Sequence, residues 1–338
     1  MSELRWNPLL GEWVATATHR QNRTFLPPEN FCPLCPTKPG GFPTEVPEST
    51  YDIVAFENLF PSLRPVPEQP AVEGSELYPV RPSQGECEVL IYSPNHDTTL
   101  AQEPVEKLDK LVRVWTDRFI ELGARDYVDY VFIFENKGEA IGVTLHHPHG
   151  QIYAYPFVPP RIARELEMSR AHRERTTRCL LCDIIAEELR DARRIVAENA
   201  SFIACIPFFA RWPYETHIYA KRHTQALTDF GRDEQRALAE ILKMTLAAFD
   251  RLFNLSFPYM MVLHQRPTGG ADAYDYYHFH IEFYPPMRTA TKLKYLAGSE
   301  TGAGMFINDT LPEEKAAELR ALVEPVRWKQ QPGSVSRS

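Results

Sequence analysis

The chain has 338 residues, 43% of them hydrophobic, and a formal net charge of −8. That length and apolar content suffice for one large domain or two medium ones, and the acidic balance argues against a nucleic-acid surface, which needs a basic stripe. No apolar run approaches the roughly twenty residues of a membrane helix, and MSELRWNPLL lacks a signal-peptide core, so a cytoplasmic protein without membrane or nucleic-acid partners is expected.

Residues 5–17 read as a turn at Asn7-Pro8 and a strand at 12–17. Arg20 and Arg23 follow in a polar segment. Residues 26–48, rich in Pro and Gly, carry Cys32-Pro33-Leu34-Cys35, a loop that a bound metal would hold. Strands are expected at 51–56 and 88–93, with His96 just beyond the second. Apolar residues at helical spacing over 103–123, with Pro104 near the start and Gly123 at the end, predict a helix. A strand at 129–135 then leads through Asn136-Lys137-Gly138 to His146-His147-Pro148-His149-Gly150-Gln151 and a strand at 149–155.

A helical pattern covers about 159–190, with Cys179-Leu180-Leu181-Cys182 inside it or at its edge. Strands at 194–197, 201–207 and 215–221 precede His223, and a helix is expected at 232–254. A strand at 258–264 ends in His264, the last strand covers 278–284, a final helix covers 311–324, and 329–338 reads as a frayed tail. The same signals occur twice in one order. Cys32, Cys35, His96, helix, strand and His147-x-His149-x-Gln151 are answered by Cys179, Cys182, His223, helix, strand and His278-x-His280-x-Glu282. This pattern implies a duplicated antiparallel α+β unit, with one copy in 1–173 and the other in 174–328.

Two C-x-x-C pairs in a reducing compartment point to zinc more than to disulfides. Cys32, Cys35, His96 and His147 form a Cys2His2 set that suits a closed tetrahedral zinc, and Cys179, Cys182, His223 and His278 form a second. A closed site leaves no water on the metal, so zinc in either would be structural. The plain alternative is reduced thiols without a ligand. Cys87 and Cys205, in apolar segments, read as core residues.

In an extended segment His147, His149 and Gln151 share a face. With His147 on a metal, His149 becomes a fixed neutral imidazole able to attack phosphorus, and Gln151 can donate an N–H to a phosphoryl oxygen. A neutral amide does not activate water, which favours transfer over hydrolysis. The alternative is a polar edge strand whose histidines face solvent.

The run from Asn136-Lys137-Gly138 to His147-Pro148-His149-Gly150-Gln151 closely resembles the galactose-1-phosphate uridylyltransferase family, in the histidine-triad superfamily. So do Asn7-Pro8, Gly11-Glu12-Trp13-Val14, His19-Arg20, Ser93-Pro94-Asn95-His96 and Phe283-Tyr284-Pro285-Pro286. The resemblance implies two fused histidine-triad-like units with antiparallel sheets and packed helices, a homodimer, and a ping-pong exchange. In that exchange His149 takes UMP from UDP-glucose and passes it to galactose 1-phosphate. By position it places Phe56, Asn58 and Phe60 around the uridine, Asn136 near the phosphates, and Arg20 and Arg23 near the sugar phosphate, across a dimer interface. Lys294 and Glu300 fall at hexose-side positions.

The resemblance also brings a possible second metal, held in some members by a glutamate and three histidines. Glu165, His264 and His280 match three of these, but Glu282 stands where the last histidine would be, so the cysteine set is preferred. Ser299 replaces a frequent aromatic hexose contact and leaves the sugar preference open. Alternatives are a transferase or phosphorylase of the same superfamily acting on an ADP-sugar or dinucleotide, or a zinc-stabilised binding module without catalysis.

Overall fold

Strands with one apolar face and two long amphipathic helices solve the same problem together, since each covers the surface that the other cannot expose to water. The structure, a computed structural model, describes residues 2–22 and 31–329; Arg23 lies outside them. The chain begins with β1 (Ser2–Asn7), β2 (Glu12–Ala17), β3 (Val54–Glu57), β4 (Val80–Pro82) and β5 (Glu86–Ile91), followed by α1 (Val105–Gly123). Next come β6 (Tyr130–Lys137), β7 (His149–Tyr155), α2 (Pro160–Thr176), α3 (Leu180–Asp191), β8 (Ile195–Glu198), β9 (Phe202–Cys205) and β10 (Thr216–Ala220). The rest is α4 (Arg232–Leu252), β11 (Tyr259–His264), β12 (His280–Tyr284), β13 (Met287–Thr289), β14 (Lys292–Leu293), α5 (Gly298–Ala303) and α6 (Pro312–Arg320).

Nine strands form one antiparallel sheet in the order β3-β5-β7-β6-β11-β12-β10-β9-β8. The order is a near-palindrome about the β6–β11 seam, where Ile133 faces Leu263 and Phe134 faces Val262. Outward from that seam the two halves repeat: β6, β7, β5, β3 on one side and β11, β12, β10, β9 on the other. The expected duplication is therefore a single continuous sheet made of two fused α+β units.

Both long helices lie on one face. Val105, Leu108, Leu111, Val112, Trp115, Phe119 and Leu122 make the buried stripe of α1 at three- and four-residue spacing. They join Leu90, Ile133, Ile152, Leu263, Ile281 and Phe283 from the strands, and Leu238, Leu242 and Phe249 from α4, in one core that spans both halves. Each such side chain contributes roughly 2 kcal/mol of burial free energy before chain entropy is set against it. Because strand side chains alternate, the opposite face of the same strands carries His149, Gln151, His280 and Glu282.

Three local outcomes differ from the sequence reading. The helical pattern of 159–190 is two helices, broken where Thr177 takes the left-handed conformation at φ 62° and Cys179 is extended. That break frees Cys179 to turn inward, and the helix restarts so that Cys182 follows one turn later. The strands expected to include residue 278 and to reach past 205 are shorter. The hairpin partner β1 and the short β4, which form a separate three-stranded sheet with β2, carry no long alternating pattern to announce them.

Candidate active site and metal-ligand clusters

His149 opens β7, and His147 sits in the bend just before it. The bend folds back on itself: His149 Nδ1 donates to the carbonyl of His147 at 2.7 Å. A carbonyl only accepts, so the proton resides on Nδ1 and Nε2 keeps the lone pair. Pro148 has no amide hydrogen to donate, and its carbonyl accepts from Tyr92 N at 3.1 Å. Gly150 is required by packing: a Cβ there would lie 2.0 Å from the Tyr92 hydroxyl oxygen and 3.0 Å from the Phe134 carbonyl. His149 is half-buried, on the wall of a cavity of about 290 Å³ also lined by His96, Glu135, Asn136, Lys137 and His147.

His147 is buried, and burial lowers its pKa to about 4, which keeps the ring neutral as ligation requires. Its Nε2 donates to the Ser93 carbonyl at 2.7 Å, the Tyr51 hydroxyl lies 3.2 Å away, and Nδ1 is left facing the thiols. Nδ1 is 3.8 Å from Cys32 Sγ and 3.5 Å from Cys35 Sγ, and His96 Nδ1 is 3.6 Å from Cys35 Sγ. Tetrahedral zinc with Zn–S near 2.3 Å and Zn–N near 2.05 Å sets ligand S and N atoms about 3.6 Å apart. The four residues therefore fit zinc in spacing as well as in type.

The second quartet repeats this geometry. Cys179 Sγ and Cys182 Sγ lie 3.7 and 3.4 Å from His278 Nδ1, and Cys182 Sγ lies 3.6 Å from His223 Nδ1. His278 Nε2 donates to the Ala220 carbonyl at 2.9 Å, as His147 does to Ser93, and each quartet has all its ligand atoms within 4.8 Å of one another. His280 Nδ1 donates to the His278 carbonyl at 3.0 Å, which repeats the His149 contact.

A third quartet, Glu165, His264, His280 and Glu282, is equally tight in space. Its charges, however, are already answered by protein groups. Glu282 Oε2 accepts from Arg161 at 2.6 Å and from the Tyr284 hydroxyl, and Glu165 Oε2 accepts from His264 Nδ1 and the Tyr277 hydroxyl, both at 2.9 Å. His217 bridges Glu215 at 2.9 Å and Glu282 at 3.5 Å. Burial pulls the His280 pKa down, but the Glu282 hydrogen bond and the Glu165 and Glu282 charges outweigh it and leave the value raised. Sequence reasoning weighed Glu165, His264 and His280 but missed Arg161, His217 and Glu215. No local signal marks them: His217 meets Glu282 only through the register of β10 on β12.

Gln151 shares the face of His149. Its Oε1 accepts from the Tyr153 hydroxyl at 3.4 Å, and Arg20 Nη1 donates to the same hydroxyl at 3.4 Å. That leaves the amide nitrogen of Gln151 as its donor end, and it draws Arg20 to the β7 face from its single turn at Thr18–Asn22. Phe56, half-buried in β3, sits opposite Val89 of β5, and Asn58 Oδ1 accepts from Phe60 N at 2.9 Å. Asn136 lines the His149 cavity. Lys294 and Glu300 pair with each other at 3.1 Å, with Lys294 also on the Ile307 carbonyl, away from the lining of that cavity.

A sheet made of two like halves, each closing a histidine-bearing strand over a Cys2His2 quartet, defines a fused pair of histidine-triad-like units. Residues 1–159 match the N-terminal domain of galactose-1-phosphate uridyl transferase and residues 165–330 match its C-terminal domain. The chain belongs to that family. It is 44% identical to the galactose-1-phosphate uridylyltransferase of Thermotoga maritima, over 95% of this chain and 98% of that protein. To the Haemophilus influenzae protein of the same name it is 34% identical, over 95% and 94%. A solved structure of a uridylyltransferase superposes with a TM-score of 0.84 at 36% identity, over 95% of this chain and 98% of that one. An ADP-glucose phosphorylase from Arabidopsis thaliana shares the fold at a TM-score of 0.70 and 23% identity, over 95% and 98%. Among the described residues no helix is long and apolar enough to cross a membrane.

Proposed function

We infer that this chain is a nucleotidyltransferase that exchanges UMP between UDP-glucose and galactose 1-phosphate, a reading supported by its likeness to proteins named galactose-1-phosphate uridylyltransferase. The observation that carries the reading is the His149 imidazole, its Nδ1 proton fixed on the His147 carbonyl, beside Gln151 on a strand anchored by a thiol–imidazole quartet. In a ping-pong course, His149 Nε2 attacks the α-phosphorus of UDP-glucose, and the bond to the bridging oxygen breaks with its electron pair leaving on glucose 1-phosphate. A phosphate oxygen of galactose 1-phosphate then attacks the uridylyl phosphorus and restores the imidazole. Positive charge that builds on the ring is stabilised through Nδ1–H by the His147 carbonyl, and the Gln151 amide donates to a non-bridging oxygen as charge develops there. The leaving groups are phosphates, so little protonation is needed.

Arg20, Arg23, Phe56, Asn58, Phe60, Asn136, Lys294 and Glu300 are proposed substrate contacts, some of them supplied across a homodimer. The metal is proposed to be structural zinc at Cys32, Cys35, His96 and His147, with a second at Cys179, Cys182, His223 and His278. Zinc bound there ties each C-x-x-C segment to its histidine strand and has no open position for substrate. The unit boundary is proposed at 173/174 and the protein is proposed to be cytoplasmic; the tail expected over 329–338 lies, from 330 on, outside the described residues.

Incubation with UDP-glucose and ADP-glucose, each labelled at the α-phosphate, tests the reading. Acid-labile label on His149 from UDP-glucose, released by galactose 1-phosphate, is the expected result. Label from ADP-glucose instead moves the chain to an ADP-sugar transferase or phosphorylase. No label from either, with tight ligand binding retained, reduces it to a zinc-stabilised binding module.

A further inference from the structure

Beneath the nucleophile's strand, on its helix side, lies a polar group that the reaction does not use. Glu135 of β6 is 4% exposed. Its Oε1 accepts from the Tyr259 hydroxyl at 3.1 Å. Its Oε2 and the hydroxyl of the fully buried Tyr92 are neighbours, and neither has a hydrogen-bond partner among the described residues. Tyr92 follows β5 directly, and its phenol runs under β7 so closely that only a hydrogen fits on the Gly150 α-carbon. From the same residue, Tyr92 N donates to the Pro148 carbonyl. Tyr92 thus touches the chain on both sides of His149, and Glu135, which also lines the His149 cavity, lies beside the Tyr92 hydroxyl.

We propose that Tyr92 and Glu135 are positioning residues for the nucleophile: they hold the Pro148–Gly150 backbone so that the His149 ring keeps its Nδ1 contact to the His147 carbonyl. The physical reason is steric and polar at once. A buried hydroxyl and a buried carboxyl are each expensive to leave unmatched, so the pair resists displacement. A backbone pressed on that pair has little freedom to let the imidazole swing, and reaction rates fall steeply when a nucleophile is misplaced by an ångström. The kinetic part of this proposal rests on the uridylyl-transfer reading, whereas the ring geometry does not.

The test uses full-length protein and three substitutions, Tyr92→Phe, Glu135→Gln and Gly150→Ala, with Tyr92→Phe/Gly150→Ala as the double variant. For uridylyl exchange, Tyr92→Phe and Glu135→Gln are each expected to lower kcat about tenfold with KM within twofold. Zinc content should be unchanged. Long-range proton–nitrogen NMR should show the His149 ring passing from one tautomer to a mixture. Gly150→Ala should cost more than about a hundredfold alone and markedly less in the Tyr92→Phe background, where the hydroxyl that the new methyl meets is gone. A kcat within twofold of wild type together with a single retained His149 tautomer in both polar variants overturns the proposal. So does strict additivity of the double variant. Wild-type protein that is inactive toward UDP-glucose overturns the functional reading instead, and the tautomer measurement still decides the positioning role.

Discussion

The two halves of the sheet place different side chains at matching positions. Outward from the seam, His149 and Gln151 of β7 pair with Ile91 and Val89 of β5, while His280 and Glu282 of β12 pair with Tyr219 and His217 of β10. Both imidazoles donate through Nδ1 to the carbonyl two residues earlier, and both of those residues face a C-x-x-C pair. The scaffold that holds the proposed nucleophile is thus present twice. The difference is in the neighbours. Beside His149 on the sheet stand the Gln151 amide and the aliphatic Ile91 and Val89. Around His280 they are Glu282 and Glu165, which draw it toward the imidazolium and occupy its Nε2 side at 3.5 and 3.9 Å. An imidazole whose Nε2 side is taken by carboxylates is not open to a phosphate, and the carboxylate at residue 282 repels one. The two copies thus differ in one layer of side chains around a conformation common to both.

The sharpest way to break that comparison is to delete each imidazole. His149→Ala is expected to abolish labelling and lower exchange at least about 10⁴-fold, whereas His280→Ala should keep exchange within a few-fold, both measured by transfer of label from UDP-glucose. Exchanging the neighbours comes next. Gln151→Glu should cost about 10²–10³-fold in exchange rate, while Glu282→Gln should leave the rate nearly unchanged and lower stability by roughly 1–3 kcal/mol, because Arg161 and His217 lose their shared carboxylate.

The metal quartets sharpen the comparison further. Cys35→Ser and Cys182→Ser should each remove about one zinc per chain by elemental analysis, but only the first should depress exchange strongly, since only it releases the bend that carries His149. An unchanged metal content in either variant removes that quartet from the account.

The smallest effect concerns Glu135, whose burial raises its pKa to about 7. The folded state then binds a proton that the unfolded state has released, so this contribution is full below pH 4.5 and is lost as pH rises through 7. Glu135→Gln should flatten that slope in chemical denaturation and gain roughly 2–3 kcal/mol over wild type at pH 8. Equal slopes for the two proteins would falsify the assignment of Glu135 as a buried, late-titrating acid.

Much of this was legible in the chain. The order of C-x-x-C, post-strand histidine, helix and H-x-H strand is local and repeats, so it exposed the duplication, the helices near 103–123 and 232–254, and both thiol–imidazole quartets. What stayed hidden depended on registers between distant strands. Nothing near Glu282 announces that Arg161, 121 residues earlier, pairs with it, or that His217 reaches it from β10. Nor does the sequence around Tyr92 say that its hydroxyl fills the space where a side chain of residue 150 would stand. The break at 177–179 was missed because no Gly or Pro falls between residues 161 and 190 to announce a helix end, whereas in the fold Cys179 stands 3.7 Å from His278.

By itself the sequence determined which atoms were available: the ligand-capable sulfurs and nitrogens, the imidazole proposed as nucleophile, and the periodicities that commit each segment to strand or helix. These follow from side-chain chemistry and from spacings of a few residues, which the chain carries locally. Tertiary structure decided which imidazole stands beside an amide, which is locked between carboxylates, and which buried groups press on the His149 backbone. Those outcomes depend on desolvation and on charges brought within a few ångströms by strand pairing, and no local window of sequence contains either.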